Sequence, residues 1–353
     1  MKKWTICVLV CILMIGSTIV PISGTTLSEK TSHPLTKGTI LYVGGSGPNN
    51  YTKIQAAINV AVNGDTVFVY RDSSPYRENL NVSKSINVIG EDRNTTVIDG
   101  RNWGGIAIFI RADDVTISGF TIQHRGLFGR WAADGIRLYG SDCTIKGNII
   151  QNNDCGIGLF GGNQNCIMNN VIRKSRQNGI SSTVAGITNT NCTISGNFIS
   201  ENGYIGLGLI GDNCKIYGNT VTGNRDVGVW VWGDGNNVTE NNVQQNQKKF
   251  IITHLAQGIC IEGINNSITR NNIVNNSPRQ AFQFEWARNQ TEMTRITQEN
   301  NVWDSNYWGV PLTKPQLIHG RVKLERRFFE DIALGVRWIT YDYHPTQKPY
   351  NIP

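Results

Sequence analysis

Two glutamates and a set of aromatic residues in repeated short strands carry the clearest chemical potential in this chain. Glu262 and Glu285 each follow a strand of alternating apolar residues, Gly258–Ile261 and Ala281–Phe284. Aligned strand on strand, they fall one rung apart in register, with carboxylates about 5 Å from each other. That separation suits a retaining glycoside hydrolase, with one carboxyl acting as acid and the other as nucleophile. Solvated surface glutamates paired with arginines are the competing reading. The same alignment predicts an outward column of Arg137, Gly158, Ser181, Gly208, Trp230, Cys260 and Gln283, beside a second of Tyr139, Phe160, Ile210, Trp232, Glu262 and Glu285. Exposed rings on a flat face stack on the apolar C–H faces of sugars. A covering loop or tail over Trp230 and Trp232 is the alternative. Two insertions precede these strands, at residues 123–134 and 247–257. They bring His124, Arg130, Trp131 and His254 toward the same face, where loops on a rigid scaffold hold binding groups.

Other chemistries find little support. The chain holds five His and four Met, none in a tract, so direct copper binding is not expected. Cys143, Cys192 and Cys214 share one repeat position, with Asn165 between the first two, and read as buried thiols or as one bridge between Cys192 and Cys214. Cys155, Cys166 and Cys260 fall elsewhere, giving no four-ligand metal cluster. No cofactor is expected. Zinc-finger spacing, RNP-like aromatic pairs and basic helices are missing, so nucleic acid is not an expected partner.

The elements that must position these residues repeat. An apolar pair five residues apart recurs as Ile117/Ile122, Ile145/Ile150, Ile167/Ile172, Ile194/Ile199, Ile216/Val221, Val238/Val243 and Ile268/Ile273. Successive members are 28, 22, 27, 22, 22 and 30 residues apart. A base period near 22 with insertions marks a solenoid whose units bury their apolar faces against one another. Within each pair stands an asparagine: Asn148, Asn170, Asn197, Asn219, Asn241 and Asn271, with Phe120 opening the column. Stacked asparagines hydrogen-bond along such a column, and asparagine tolerates the left-handed backbone of a sharp corner. A second strand follows each corner, with Ile136, Ile157, Leu207, Val229, Ile259 and Phe282 expected inside. Strands this short leave no room for crossover helices. The fold class is therefore all-β, a right-handed parallel β-helix of ~22-residue coils.

Residues 1–24 read as a signal peptide or N-terminal anchor, with Lys2 and Lys3 before an apolar run. Residues 25–50 form a linker and first strand. Residues 51–302 form the β-helix with an N-terminal cap helix over Tyr51–Val62, and residues 303–353 a capping tail. The expected location is secreted or at the cell surface, with membrane contact only through an uncleaved N-terminal segment. The net charge of +7 permits an acidic polysaccharide without requiring one.

The stretch from Tyr51 to Gly100 resembles the opening coil of the pectin-lyase-like β-helix superfamily. The later Ile-x-x-Asn-x-Ile coils and the ending around Asn306–Gly309 and Tyr341–Ile352 are similar to exported archaeal NosD-like proteins. The superfamily holds esterases, lyases, hydrolases and non-enzymes, so the resemblance implies fold more than activity. The aspartate pair of pectin methylesterases and the calcium cluster of pectate lyases are not found. The leading expectation is a protein that binds, or binds and modifies, polysaccharide on the lateral face of the solenoid. If it is an enzyme, it is a glycoside hydrolase or another polysaccharide-acting enzyme. The alternatives are a structural or adhesive module associating with other envelope proteins, and a NosD-type accessory of a membrane complex.

Overall fold

The computed structural model describes residues 38–100, 105–124, 133–182, 188–247, 258–277, 279–287, 296, 301–312, 314–324, 335–337 and 340–352. Residues 1–24, expected to form the export segment, and most of both inserted loops, including Arg130, Trp131 and His254, lie outside them. Among the described residues, no helix is long and apolar enough to cross a membrane.

The chain coils through three sheets of eleven, eight and thirteen described strands, which are parallel through the coils. The expected β-helix is what forms. In the first sheet Ile117, Ile145, Ile167, Ile194, Ile216, Val238, Ile268 and Trp303 pair rung to rung. The second stacks Ile122, Ile150, Ile172, Ile199, Val221, Val243 and Ile273. All of these are buried.

The asparagine column forms a continuous buried ladder. In each rung the backbone N–H and side-chain Nδ2 donate to Oδ1 of the asparagine in the next rung. Asn197 donates both to Asn219 at 3.0 Å, and Asn219 donates both to Asn241 at 3.0 and 2.9 Å. Phe120 opens the column, its N–H meeting Asn148. Two further ladders stand at the other corners. One joins Asn202, Asn224, Asn246 and Asn276. The other joins Asn236, Asn266 and Asn301 and carries Cys143, Cys192 and Cys214 at equivalent positions. There the Cys192 N–H donates to Cys214 Sγ at 3.3 Å, and both cysteines are free thiols.

The left-handed corner residue is not the ladder asparagine, as expected, but the one before it: Asn169, Gly196, Gly218, Glu240, Arg270 and Ser305. That residue turns the chain with its side chain outward, and the next one enters the corner with its amide.

Both ends are closed. Helix Ile54–Val60 buries Ile54, Ala57 and Ile58 over the first coils. Its first N–H groups bond Glu78, and its last carbonyls bond Lys84 Nζ. At the other end strand Gln316–Leu324 pairs parallel with Ala281–Ala287 and then antiparallel with Gly335–Arg337 and Thr340–Asp342. Asp342, fully buried, ends the first ladder by accepting from Asn306 N and Trp308 Nε1, each at 2.9 Å.

Asn219→Ala removes an acceptor used by two Asn197 donors. It should cost roughly 3 kcal/mol in urea unfolding, against about 0.5 or less for the exposed Asn265→Gly. Equal costs would show that the ladder does not hold the coils.

Candidate functional site

The outer face of the third sheet gathers most of the residues singled out above. Its first outward column runs Phe109, Arg137, Gly158, Ser181, Gly208, Trp230, Cys260 and Phe282. The second places Tyr139 beside Phe160, each one residue beyond the paired Leu138 and Leu159, and later aligns Ile210, Trp232 and Glu262.

Three rings on consecutive rungs form one platform. Tyr139 and Phe160 stack with centroids 5.1 Å apart and planes at 19°, and Phe109 meets Tyr139 edge-on at 5.4 Å. Tyr139 is 44% exposed. Gly158 makes the stack possible, because a Cβ there would stand 2.8 Å from the Phe160 ring. Arg137 lies 4.8 Å over that ring and is held by Asp134 at 2.7 Å. Burial pushes the Asp134 carboxyl above its ordinary range, and Arg137 pulls it part of the way back. Behind it, burial opposes ionisation of Asp154. Hydrogen bonds from Arg176 and the Ala133 N–H, with the charges of Arg176 and His124, outweigh burial and lower its pKa. His124 is buried at this corner, so it supports the network from beneath and does not present a binding group to solvent.

Three rungs on, about 14 Å along the face, Trp230 and Trp232 stack at 6.4 Å and 17°. Trp232 is exposed, whereas Trp230 is packed into a small outer cluster with Val227, Cys260, Phe282 and Ile205. The indole N–H of Trp230 is buried and meets no acceptor in hydrogen-bond geometry among the described residues. Beside it stands Glu262, 7% exposed. Burial, then the nearby Glu285, raise its pKa to about 7, with the Trp230 N–H opposing them.

The last rung corrects the expected alignment. Ala281, not Phe282, pairs with Ile259, so Phe282 turns outward and Gln283 turns in. The physical reason lies in the final coil, where buried Trp303 needs an acceptor for its N–H and Gln283 supplies one at 3.2 Å. Phe284 is therefore the neighbour in register with Glu262. Glu285 comes one residue later, on the other side of the strand by alternation. It remains close enough to act on Glu262 through its charge.

Sequence reasoning missed Phe109, because its strand is entered through Ala107 in place of the recurring glycine. It also missed Asp134 and Asp154. The spacing of Asp134, three residues before the outward Arg137, was the available signal.

The chain matches the family described as a right handed beta helix region, over residues 65–247 and 134–307. It belongs to that family. No curated protein gives a significant sequence match. Among solved structures, this β-helix is similar to pectate lyase Pel9A, at 15% identity and a TM-score of 0.50, covering 77% of this chain and 80% of that one. It is also similar to the Dettilon tailspike protein, at 14% identity and 0.48, covering 76% and 62%. Pectin methylesterase from carrot aligns at 15% identity and 0.41, covering 65% and 83%. At these identities the likeness is one of fold.

The raised Glu262 pKa has a thermodynamic sign. The folded β-helix holds this proton more tightly than the unfolded chain, where the group titrates near 4.5. Stability should therefore fall as pH rises from about 4.5 through about 7 and then level off. Glu262→Gln should flatten that decline and gain on the order of 3 kcal/mol above pH 7. Urea midpoints at pH 5 and pH 8 measure it, and a variant effect equal at both pH values would refute the raised pKa.

Proposed function

We propose that the protein is an exported or cell-surface carbohydrate-binding β-helix that holds an extended glycan along the outer face of its third sheet. The observation that carries this reading is the pair of aromatic platforms, Phe109–Tyr139–Phe160 and Trp230–Trp232, on one face. Rings held by strand pairing neither reorient nor lose freedom when a sugar stacks on them, so little ordering entropy opposes binding. Polar groups stand beside each platform: Arg137 at the first, and Glu262, in register with Trp232, at the second. The name of the polysaccharide-acting pectate lyase of similar fold is consistent with this reading.

A hydrolytic role is the second reading, and Glu262 favours it. A carboxylic acid with a pKa of about 7 is about half protonated at neutral pH, and its protonated form can donate to a glycosidic oxygen. Glu285 is the nearby carboxylate that would complete the pair. The out-of-register placement of Glu285 leaves binding as the primary reading.

A glycan array with the mature chain, including acidic polysaccharides, is the direct test. Tyr139→Ala and Trp232→Ala, both at exposed rings, should each weaken binding about tenfold, near 1.4 kcal/mol, without moving the urea midpoint. Binding unchanged in both variants would place the glycan elsewhere, and no binding at all would favour a structural module. Turnover of a bound glycan that Glu262→Gln abolishes would establish the hydrolytic reading.

A further inference from the structure

A second concave site lies on a different face, at the corner between the first and second sheets. The left-handed position of this corner is occupied on successive rungs by Asn169, Gly196, Gly218, Glu240 and Arg270. Where the two glycines stand, no side chain projects, and the solenoid surface is notched between Asn169 and Glu240. Three rung spacings separate those residues, about 14 Å. Tyr217, 42% exposed, walls the notch on the first-sheet side. Tyr350 and the two residues after it wall the other side, giving a cleft of about 370 Å³.

The second wall is firmly built. Tyr350 N donates to Asn272 Oδ1, and Asn272 Nδ2 donates back to Tyr350 O, both at 2.8 Å. Asn242 Nδ2 bonds Ile352 O at 3.2 Å, and the Tyr350 hydroxyl donates to Ser305 O at 2.8 Å. The His344–Asp304 pair anchors the start of this segment at 2.6 Å.

Charge at the cleft is balanced. Arg270 pairs with Glu240 at 2.9 Å and lies 5.5 Å over the Tyr350 ring. Both residues occupy left-handed backbone, φ +56° and +55°, at a corner where the two preceding rungs use glycine.

We propose that this cleft is a saccharide subsite for a single neutral pyranose residue, separate from the lateral face. An aromatic wall offers a stacking surface for the apolar side of the ring. The coplanar donors of Arg270 and the carboxylate of Glu240 offer a donor and an acceptor to neighbouring hydroxyls. Their mutual neutralisation selects against a charged ligand, and the volume admits one ring more readily than a chain. With the lateral face, the subsite makes the protein bivalent, able to hold two glycans at once.

The test is saturation-transfer NMR on the mature chain with methyl glycosides of glucose, galactose, mannose and N-acetylglucosamine. At least one should bind, with the signal kept in Trp232→Ala and reduced at least tenfold in Tyr217→Ala and in Arg270→Gly. Arg270→Gly suits the local φ, so its urea midpoint should match or exceed that of the wild type and loss of binding cannot be blamed on unfolding. No glycoside bound by the wild type, or binding that both cleft variants retain, overturns the subsite. A signal abolished by Trp232→Ala also overturns it and assigns the sugar to the lateral face. The proposal stands or falls separately from lateral binding, which the array on longer glycans reads.

Discussion

A buried amide at every corner is the constraint from which the rest of this structure follows. A solenoid brings only neighbouring coils together, so its apolar interior alone would tolerate a coil slipping by two residues. An asparagine in the corner does not tolerate it. Asn219 receives two donors from Asn197 and gives its own to Asn241 and to the carbonyls of Ile194 and Tyr217. A slipped coil would leave several of these groups buried and unpaired, each at a cost of about 1–3 kcal/mol. The ladders thus convert apolar stacking, which is permissive, into a register that is specific. Aromatic rings on the outer face inherit that register, and so Tyr139 and Phe160 meet face to face without any contact designed between their loops.

The residues that were legible in the sequence are those whose chemistry repeats without substitution. Isoleucine or valine flanks an asparagine in six coils, and that pattern revealed two sheets and one ladder. The other ladders were hidden by their substitutes. Cysteines occupy three positions of one, where a thiol accepts or fills but cannot extend the amide chain, and Ser175 interrupts the other. The outer columns were legible through the middle coils because a glycine precedes each of those strands. They failed at the final rung, where Gln280 and not Ala281 lies opposite Gly258. A terminal coil answers to its cap as well as to its neighbour, and here the buried indole of Trp303 decided the register.

Two buried acids on the same face show how location sets proton affinity. Asp134 is less exposed than Glu262, yet it has Arg137 at 2.7 Å. Glu262 has a second carboxylate as its charged neighbour and a single indole N–H in opposition. The first arrangement fixes an arginine over an aromatic ring, a positioning task. The second leaves an acid that is about half protonated at neutral pH at the edge of a stacking platform, where its proton is available for donation. Sequence alone places Glu262 outward and passes over Asp134, because the difference between them depends on which strands become neighbours.

The ladders also give the molecule an electrical direction. In a parallel sheet the backbone dipoles largely cancel. Ladder amides do not cancel, because every side-chain carbonyl faces the preceding rung while the bonds to the next rung are donated by N–H groups. Aligned dipoles add, as they do along a helix, so the solenoid carries a positive pole at its C-terminal end. The acceptor that closes the longest ladder there is Asp342, a carboxylate where another amide would have satisfied the same hydrogen bonds. A negative charge seated on the positive pole of a stack makes the cap an electrostatic complement of the whole array. By the same reasoning, any further coil added at that end would have to displace a charge as well as a chain.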